Sequence, residues 1–594
     1  MNLTRLFEIP EYALRTHPRA DCLNTKKNGS WKSFSTQELV DTANRVSLSL
    51  LAMGIKQGDT IATISNNRPE WNFVDIGMLQ IGVVHVPIYP TATTDDYLYI
   101  LNHAEAKIVF VSNQEYYDKV KQIRGDVPSL REVFTFDTIL GVKSFVDFLE
   151  FGRNKAVSDI KPFRDAVKAD DLATLIYTSG TTGVPKGVML SHSNICFNIR
   201  AVLGILEFLG TVKALSFLPL CHVYERIVVY LYLHKGIGIY YAESMETIAE
   251  NIKEVKPTIF TTVPRLLEKV YDKIVAKGHT LTGIKKRLFF WSLELANRYQ
   301  IGRRMGFWYD LQLILADKLV FSKWREALGG HIQAVVSGAA ALQPRLATIF
   351  WAAGIRVVEG YGLSEASPVV SVNNLECGGM MPGTVGPLIS GIHVKIQPEE
   401  GYQDGEGEIL VKGPNVMMGY YKNPEATAET IDNDGWLHTG DIGTFVLNKY
   451  LKITDRKKEI FKTSGGKYIA PQAIENKFKE SPFIEQIMVV GEHKNFPAAL
   501  IVPSLPYLQD WCNKHNVLWT NNAAMIQHPD IVELFEKEKE HYNQFFGQWE
   551  KIKKITLLSK EWTTDSGELT PTLKLKRRVI NSNYQDLIEA MYST

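Results

Sequence analysis

The chain lacks most of the features that mark a specialised protein class. It has no excess of one charge: 66 Lys+Arg stand against 65 Asp+Glu, a formal net charge of +1 over 594 residues. That balance gives no long-range field to gather a polyanion, which excludes nucleic-acid binding as the main activity. Cysteine is scarce. The five (Cys22, Cys196, Cys221, Cys377, Cys512) are odd in number and far apart, with no C-x-x-C and no Cys/His cluster at zinc spacing. They read as reduced thiols of a cytoplasmic protein. No apolar run approaches the ~18 residues of a membrane span, and the start, MNLTRLFEIPEYALRTHPRAD, has no apolar core followed by a small-residue cleavage site. The most apolar stretch, 227–242, is broken by His234, Lys235 and two glycines. The expected location is cytoplasmic, with peripheral contact at the inner face of a membrane and a homodimer left open.

What is present is core-forming material. With 45% hydrophobic and 22% charged residues the chain is globular and long enough for several domains. Ser35-x-x-Glu38 is a capping box before Leu39, Ala43, Val46 and Leu50, which share one helical face. Strand-like runs at 60–65, 83–89 and 107–112 alternate with helical stretches, a pattern that predicts an α/β fold with parallel sheet. Beyond residue 380 short β-runs with Gly-rich turns take over, predicting a small β-rich subdomain. After Asp455 the sequence becomes mixed and Lys-rich, so the domain boundary is placed there, giving 1–455 and 456–594.

The sharpest local signal is LIYTSGTTGVPKGVMLSH, 175–192. A β-run delivers the small and hydroxyl residues Thr178, Ser179, Gly180, Thr181, Thr182 and Gly183, and Lys186 follows. Glycines admit an anion to the backbone, hydroxyls donate to it and lysine adds charge, so phosphate is the expected guest. This is not a Walker A loop, since Pro185 and Gly187 stand on either side of Lys186 where that motif needs Gly and Ser or Thr.

The loop resembles that of the AMP-forming acyl-adenylate superfamily, and the likeness continues in order along nearly the whole chain. It includes LPLCHVYER (218–226), VVSGAAAL (335–342), VVEGYGLSEASP (357–368), DGWLHTGDIG (434–443), LKITDRKKEIFKTSGGKYIAPQAIE (451–475) and ELTPTLKLKRR (568–578). The resemblance implies a large N-terminal domain of two doubly wound subdomains plus a small β-rich one, with a smaller, mobile α+β C-terminal domain. It implies ATP, Mg²⁺ and coenzyme A as cofactors or cosubstrates, and two half-reactions: carboxylate plus ATP to acyl-AMP and pyrophosphate, then thioester formation.

By the same resemblance, Thr178 to Gly183 and Lys186 hold the β- and γ-phosphates, and Glu365 with Thr178 binds Mg²⁺. Gly338, Ala339 and Ala340, with Glu359, Gly360, Tyr361, Gly362 and Ser364, form the adenine slot. Asp441 and Arg456 face the ribose, and His222 orients the reacting carboxylate. Lys574 acts at the α-phosphate, although Leu573 stands where many members have glycine. Lys458 is the expected hinge, and Ser464, Gly465 and Gly466 close over pantetheine. The segment after Tyr241 and the pattern ELTPTLKLKR resemble the long-chain fatty acyl-CoA synthetase branch, which implies a long-chain fatty acid as substrate. The alternatives are transfer of the acyl group to an acyl carrier protein and a fatty-acid uptake or binding protein. The near match of 362–366 to a G-x-S-x-G serine-hydrolase elbow ends in Ala366 and leaves the phosphate loop unexplained.

Overall fold

Successive side chains of a strand leave opposite faces, and this alternation sorts the apolar residues into layers. In one seven-stranded sheet Ile61, Ile108 and Phe110 enter a central core, while Ala62, Val109 and Val111 enter an outer one. An eight-stranded sheet repeats the division: Ala214, Ile259, Ala334 and Val358 face the same central core, and Leu215, Phe260, Val335 and Val357 face a second outer core. The result is helix, sheet, helix, sheet, helix. The computed structural model describes residues 3–593 apart from 180–183, 206, 207, 209, 377, 399–401, 403, 565, 571 and 572.

The first sheet runs Gly419–Tyr420, Pro185–Ser191, Leu172–Ser179, Val84–Ile88, Thr60–Ile64, Ile108–Val111, Glu132–Thr135. The second runs Val369–Val372, Val357–Gly362, Ala334–Ser337, Ile259–Thr262, Lys213–Ser216, Gly238–Tyr241, Leu23–Lys27, Ser30–Phe34. Their central pairs are parallel; antiparallel pairs occur at both edges of the second sheet and at one edge of the first, whose Glu132–Thr135 edge is parallel. The hairpin of Leu23–Lys27 and Ser30–Phe34 was not anticipated: Leu23 pairs with Ile239, far along the chain.

Two helices fill the central layer. Pro69–Leu79 is buried along almost its whole length, as a helix apolar on every face must be. Val223–His234 contributes Ile227, Val229, Tyr230 and Leu233 to the same core. The capping box at Ser35 forms as expected and starts the helix Thr36–Ala52.

A four-stranded antiparallel sheet follows, ordered His393–Pro398, Gly407–Lys412, Leu437–Val446, Tyr450–Arg456. The last segment is α+β: Ile484–Val490, Ala498–Pro503 and Lys554–Leu557 form a sheet with the helices Pro471–Phe478, Leu505–Lys514 and Pro529–Asn543 on one face and Trp562 with the short helices Arg577–Asn583 and Gln585–Tyr592 on the other. Strands of both large sheets end at one cleft of about 2480 Å³, which the C-terminal segment closes on one side. Ligands of open α/β sheets bind at such strand ends.

Candidate active site

The wall of the cleft begins with a turn and a helix. His222 is the N-cap of Val223–His234, its Nδ1 accepting from the Tyr224 N–H at 3.2 Å. Glu225 and Arg226 follow, both buried, and they point to different sheets. The Glu225 carboxylate accepts from Ser216 and Thr261 hydroxyls, each at 2.6 Å, in the second sheet. Burial pushes its pKa up to about 7. Arg226 reaches the first sheet, giving Nη1 to Thr174 Oγ1 at 2.7 Å and Nη2 to Asp75 Oδ1 at 2.5 Å. Burial alone would raise the Asp75 pKa, yet Arg226, His85 and Tyr230 hold it below its ordinary value. His85, pushed down to about 4 by burial, is a neutral ring 2.7 Å from Asp75. One helical turn thereby ties both sheets together and fixes where His222 stands. Burial and the charge of Lys574 lower the His222 pKa to about 4, so the ring is neutral near pH 7.

The opposite wall comes from the ends of Ala334–Ser337 and Val357–Gly362, paired Ser337 to Glu359. A Cβ on Gly338 would lie 3.1 Å from the Tyr224 ring, and Ala339 adopts φ +70°. Small residues are therefore demanded here by the backbone's close approach. Glu359 is 4% exposed; Oε2 accepts from Leu342 N–H at 3.1 Å, while Oε1 is buried without a hydrogen-bond partner. Burial pushes its pKa up to about 8. Gly360 precedes Tyr361, whose hydroxyl donates to Asp441 at 2.7 Å, and Asp441 pairs with Arg456 Nε at 3.2 Å. At Gly362 an added Cβ would meet the Pro368 carbonyl at 2.0 Å. Ser364 is buried, and Glu365 accepts from the Tyr420 hydroxyl at 2.8 Å.

Thr178 and Lys186 sit directly opposite one another on the Leu172–Ser179 and Pro185–Ser191 hairpin, with Lys186 Nζ 5.0 Å from the Tyr420 ring centroid. The expected phosphate ligands Gly180, Thr181, Thr182 and Gly183 lie outside the described residues, as does the side chain of Ser179.

The C-terminal lysine enters this cleft. Thr570 N–H donates to the Lys574 carbonyl at 2.8 Å, and Lys574 N–H donates to Thr570 Oγ1 at 3.0 Å, closing a tight hairpin. Leu573 takes φ +61° there and touches apolar residues of both the N-terminal and the C-terminal cores. Burial first, then Arg456, lowers the Lys574 pKa, while Asp441 and Glu459 oppose the shift. Three residues on, Arg577 grips Glu475 with Nη1 and Nη2 at 2.8 and 2.7 Å and Glu459 with Nε at 3.0 Å. Lys576 is exposed at the N-cap of Arg577–Asn583. Across the seam, Arg265 gives Nη1 to the Glu485 carbonyl at 2.7 Å.

Thr178, Lys186, His222, the 338–340 turn, Glu359 to Glu365, Asp441, Arg456, Lys458 and Lys574 all line the one cleft. Gly465 and Gly466 do not: they occupy an exposed turn between Phe461–Lys462 and Tyr468–Ile469. Sequence reasoning missed Tyr420, Arg577 and the Asp75–His85–Arg226 group. The signal was an acid inside the otherwise apolar PEWNFVDIGML and a base beside Glu225, since such charges are rarely buried unpaired.

Comparison with known proteins adds a second line of observation. Residues 10–421 match the family model described as AMP-binding enzyme, and 458–594 match AMP-binding enzyme C-terminal domain. A long-chain-fatty-acid–CoA ligase of Mycobacterium bovis is 32% identical over 575 residues, covering 95% of this chain and 93% of that protein. Long-chain-fatty-acid–CoA ligase 1 of Homo sapiens is 32% identical over 629 residues, covering 100% and 87%. Among solved structures, the adenylation domain of a carboxylate reductase from Mycobacterium chelonae superposes with a TM-score of 0.75 at 23% identity, covering 99% of this chain and 91% of that one.

Proposed function

Since the chain belongs to the AMP-binding enzyme family, we propose that its cleft activates a long-chain fatty acid in two steps. A carboxylate oxygen attacks the α-phosphorus of ATP and pyrophosphate leaves. The sulfur of coenzyme A, having lost its proton, then attacks the acyl carbonyl carbon and AMP leaves. The observation that carries this reading is the convergence of Lys574 with His222, Asp441 and Arg456 in one cleft.

In the first step both partners are anions, so fixed positive charge has to meet the developing charge. Lys574 supplies it at the α-phosphate, and Lys186 with Thr178 supplies charge and hydroxyl to the outer phosphates. Neutral His222, held by its helix, orients the carboxylate without adding charge. The adenine lies along 338–340 and Tyr361. Its amino group meets Glu359, whose Oε1 is the buried oxygen in want of a partner. Asp441, already bonded to Tyr361 and Arg456, takes the ribose hydroxyls. The acyl chain runs along the apolar side of the cleft, by Ile227, Val228, Leu231 and Ile259. Each methylene buried there adds about 0.8 kcal/mol.

Glu365 and Thr178 offer the hard oxygen donors that Mg²⁺ prefers, and a cation bridging phosphates takes only one or two protein oxygens. When bound, the ion would neutralise charge on the phosphates. For the second step, the segment that follows Lys458 turns about it, and the Ser464–Gly465–Gly466 turn, outside the cleft in this arrangement, comes over the pantetheine arm. Pyrophosphate release and thioester formation, measured across acids of increasing length with coenzyme A and with an acyl carrier protein, test the reading. Rising kcat/KM towards palmitate length with coenzyme A supports it; a flat profile, or preference for the carrier protein, overturns the substrate or the acceptor.

A further inference from the structure

Residues 263–333 connect Ile259–Thr262 to Ala334–Ser337, and this crossover carries a face that none of the described residues covers. The helix Phe307–Ala316 starts after Gly306, which takes φ +106°. Its inner side is anchored: Tyr309 donates its hydroxyl to the Leu295 carbonyl at 2.8 Å, and Leu313 and Ala316 join the outer core of the second sheet. Its outer side shows Phe307, Trp308, Leu311, Ile314 and Leu315, with Leu319 just beyond. Phe307, Trp308 and Ile314 are 74%, 73% and 66% exposed. The spacing of i, i+1, i+4, i+7 and i+8 makes one stripe. Leu140, Leu447 and Leu518 are exposed singly.

The charges around this stripe are mostly positive. Between 283 and 325 nine Lys+Arg stand against three Asp+Glu, in a chain whose net charge is only +1. Arg303 and Arg304 precede the helix and Lys318 follows it, all exposed. Of the acids, Asp317 is already paired with Arg325 at 3.0 Å.

We propose that the Phe307–Ala316 stripe, with Arg303, Arg304 and Lys318, docks the enzyme on an anionic lipid bilayer. Trp and Phe favour the headgroup boundary, long basic side chains reach the phosphates beside them, and an amphipathic helix of this make-up lies in the interface plane. Charge complementarity selects the occupant. A symmetric dimer through this face would bring together two patches of the same positive sign, whereas an anionic leaflet attracts them. Among the described residues no helix is long and apolar enough to cross a membrane, so contact through this face would be peripheral. The surface is argued independently of the ligase reading, although a fatty-acid substrate gives it a purpose.

The test is co-sedimentation of the full chain with phosphatidylcholine vesicles, with and without phosphatidylglycerol, at low and high salt. Wild type should bind the anionic vesicles and be released by salt. Trp308→Ser/Ile314→Ser should weaken binding about tenfold or more. Arg303→Gln/Arg304→Gln should remove the preference for phosphatidylglycerol, and Leu518→Ser should change nothing. Circular dichroism and pyrophosphate release from a soluble short acid check that each variant is folded. Failure of folded wild type to bind any vesicle overturns the proposal, as does equal binding by Trp308→Ser/Ile314→Ser. So does a wild-type dimer that this double variant turns into a monomer while vesicles stay bare, since a second copy then covers the face.

Discussion

The two walls of the cleft are held by different physics. The Val223–His234 wall is rooted: Glu225 and Arg226 are buried, and each is bonded into a different sheet. The Lys574 wall is docked: its hairpin closes on local bonds between Thr570 and Lys574, and its segment meets the other at a seam of charges such as Arg265 with Glu485. Breaking the first leaves a charge buried with neither water nor partner, whereas the charges of the seam would meet water once the two segments separate. The difference teaches which wall can part from the other. A site that must first bring reactants together and later admit a bulky thiol needs one fixed side and one removable side.

The largest effect should come from breaking the root. Arg226→Ala leaves Asp75 buried with no cation and should cost about 3–5 kcal/mol in denaturant unfolding. Arg226→Met/Asp75→Asn should recover much of that loss; equal loss in both variants would mean that packing, not charge, holds the wall. Next, Lys574→Ala should slow adenylation by about 10²–10³ while leaving the unfolding midpoint and CoA attack on supplied acyl-AMP nearly unchanged. Lys576→Ala, exposed two residues away, serves as the control. If it alone slows adenylation, the wrong lysine has been placed at the α-phosphate.

A pH series sharpens the contrast. Glu359 keeps its proton up to about 8 in the folded protein, against an ordinary value of 4.5 when unfolded. Over that window the folded state holds more protons, so this residue makes stability fall as pH rises. Glu359→Gln should remove that share of the slope; an unchanged slope would show that Glu359 does not titrate as its burial requires. The smallest effect on folding belongs to the seam: Arg265→Ala takes a cation from Glu485 and Glu561 across it and should give a several-fold drop in adenylation with little change in unfolding midpoint.

Much of the layering was legible because short apolar runs such as 60–65 and 107–112 alternate with helical stretches, as strands covered on both faces do. The strand leading into the 178–186 segment was readable from its residues, and the position of Lys574 in the cleft was expected from family resemblance. What stayed hidden depends on partners distant in sequence. Asp75 meets Arg226 only after two sheets have closed around a helix, and Tyr361 meets Asp441 only when separate sheets adjoin. No local pattern encodes that Leu23 pairs with Ile239. The family's glycine at position 573 is absent, yet the backbone there keeps the conformation glycine would favour.

That last feature makes Leu573 a loaded spring. A leucine held at φ +61° carries about 1–2 kcal/mol of steric cost. Contact of its side chain with both cores offsets that cost, and the N-terminal half of the contact exists only while the hairpin is seated. Were the lysine unseated, half of that offset would be lost and the strain would favour another backbone shape. A glycine there would be slack in either position. With leucine, where the lysine sits and how its backbone is coiled become a single mechanical variable.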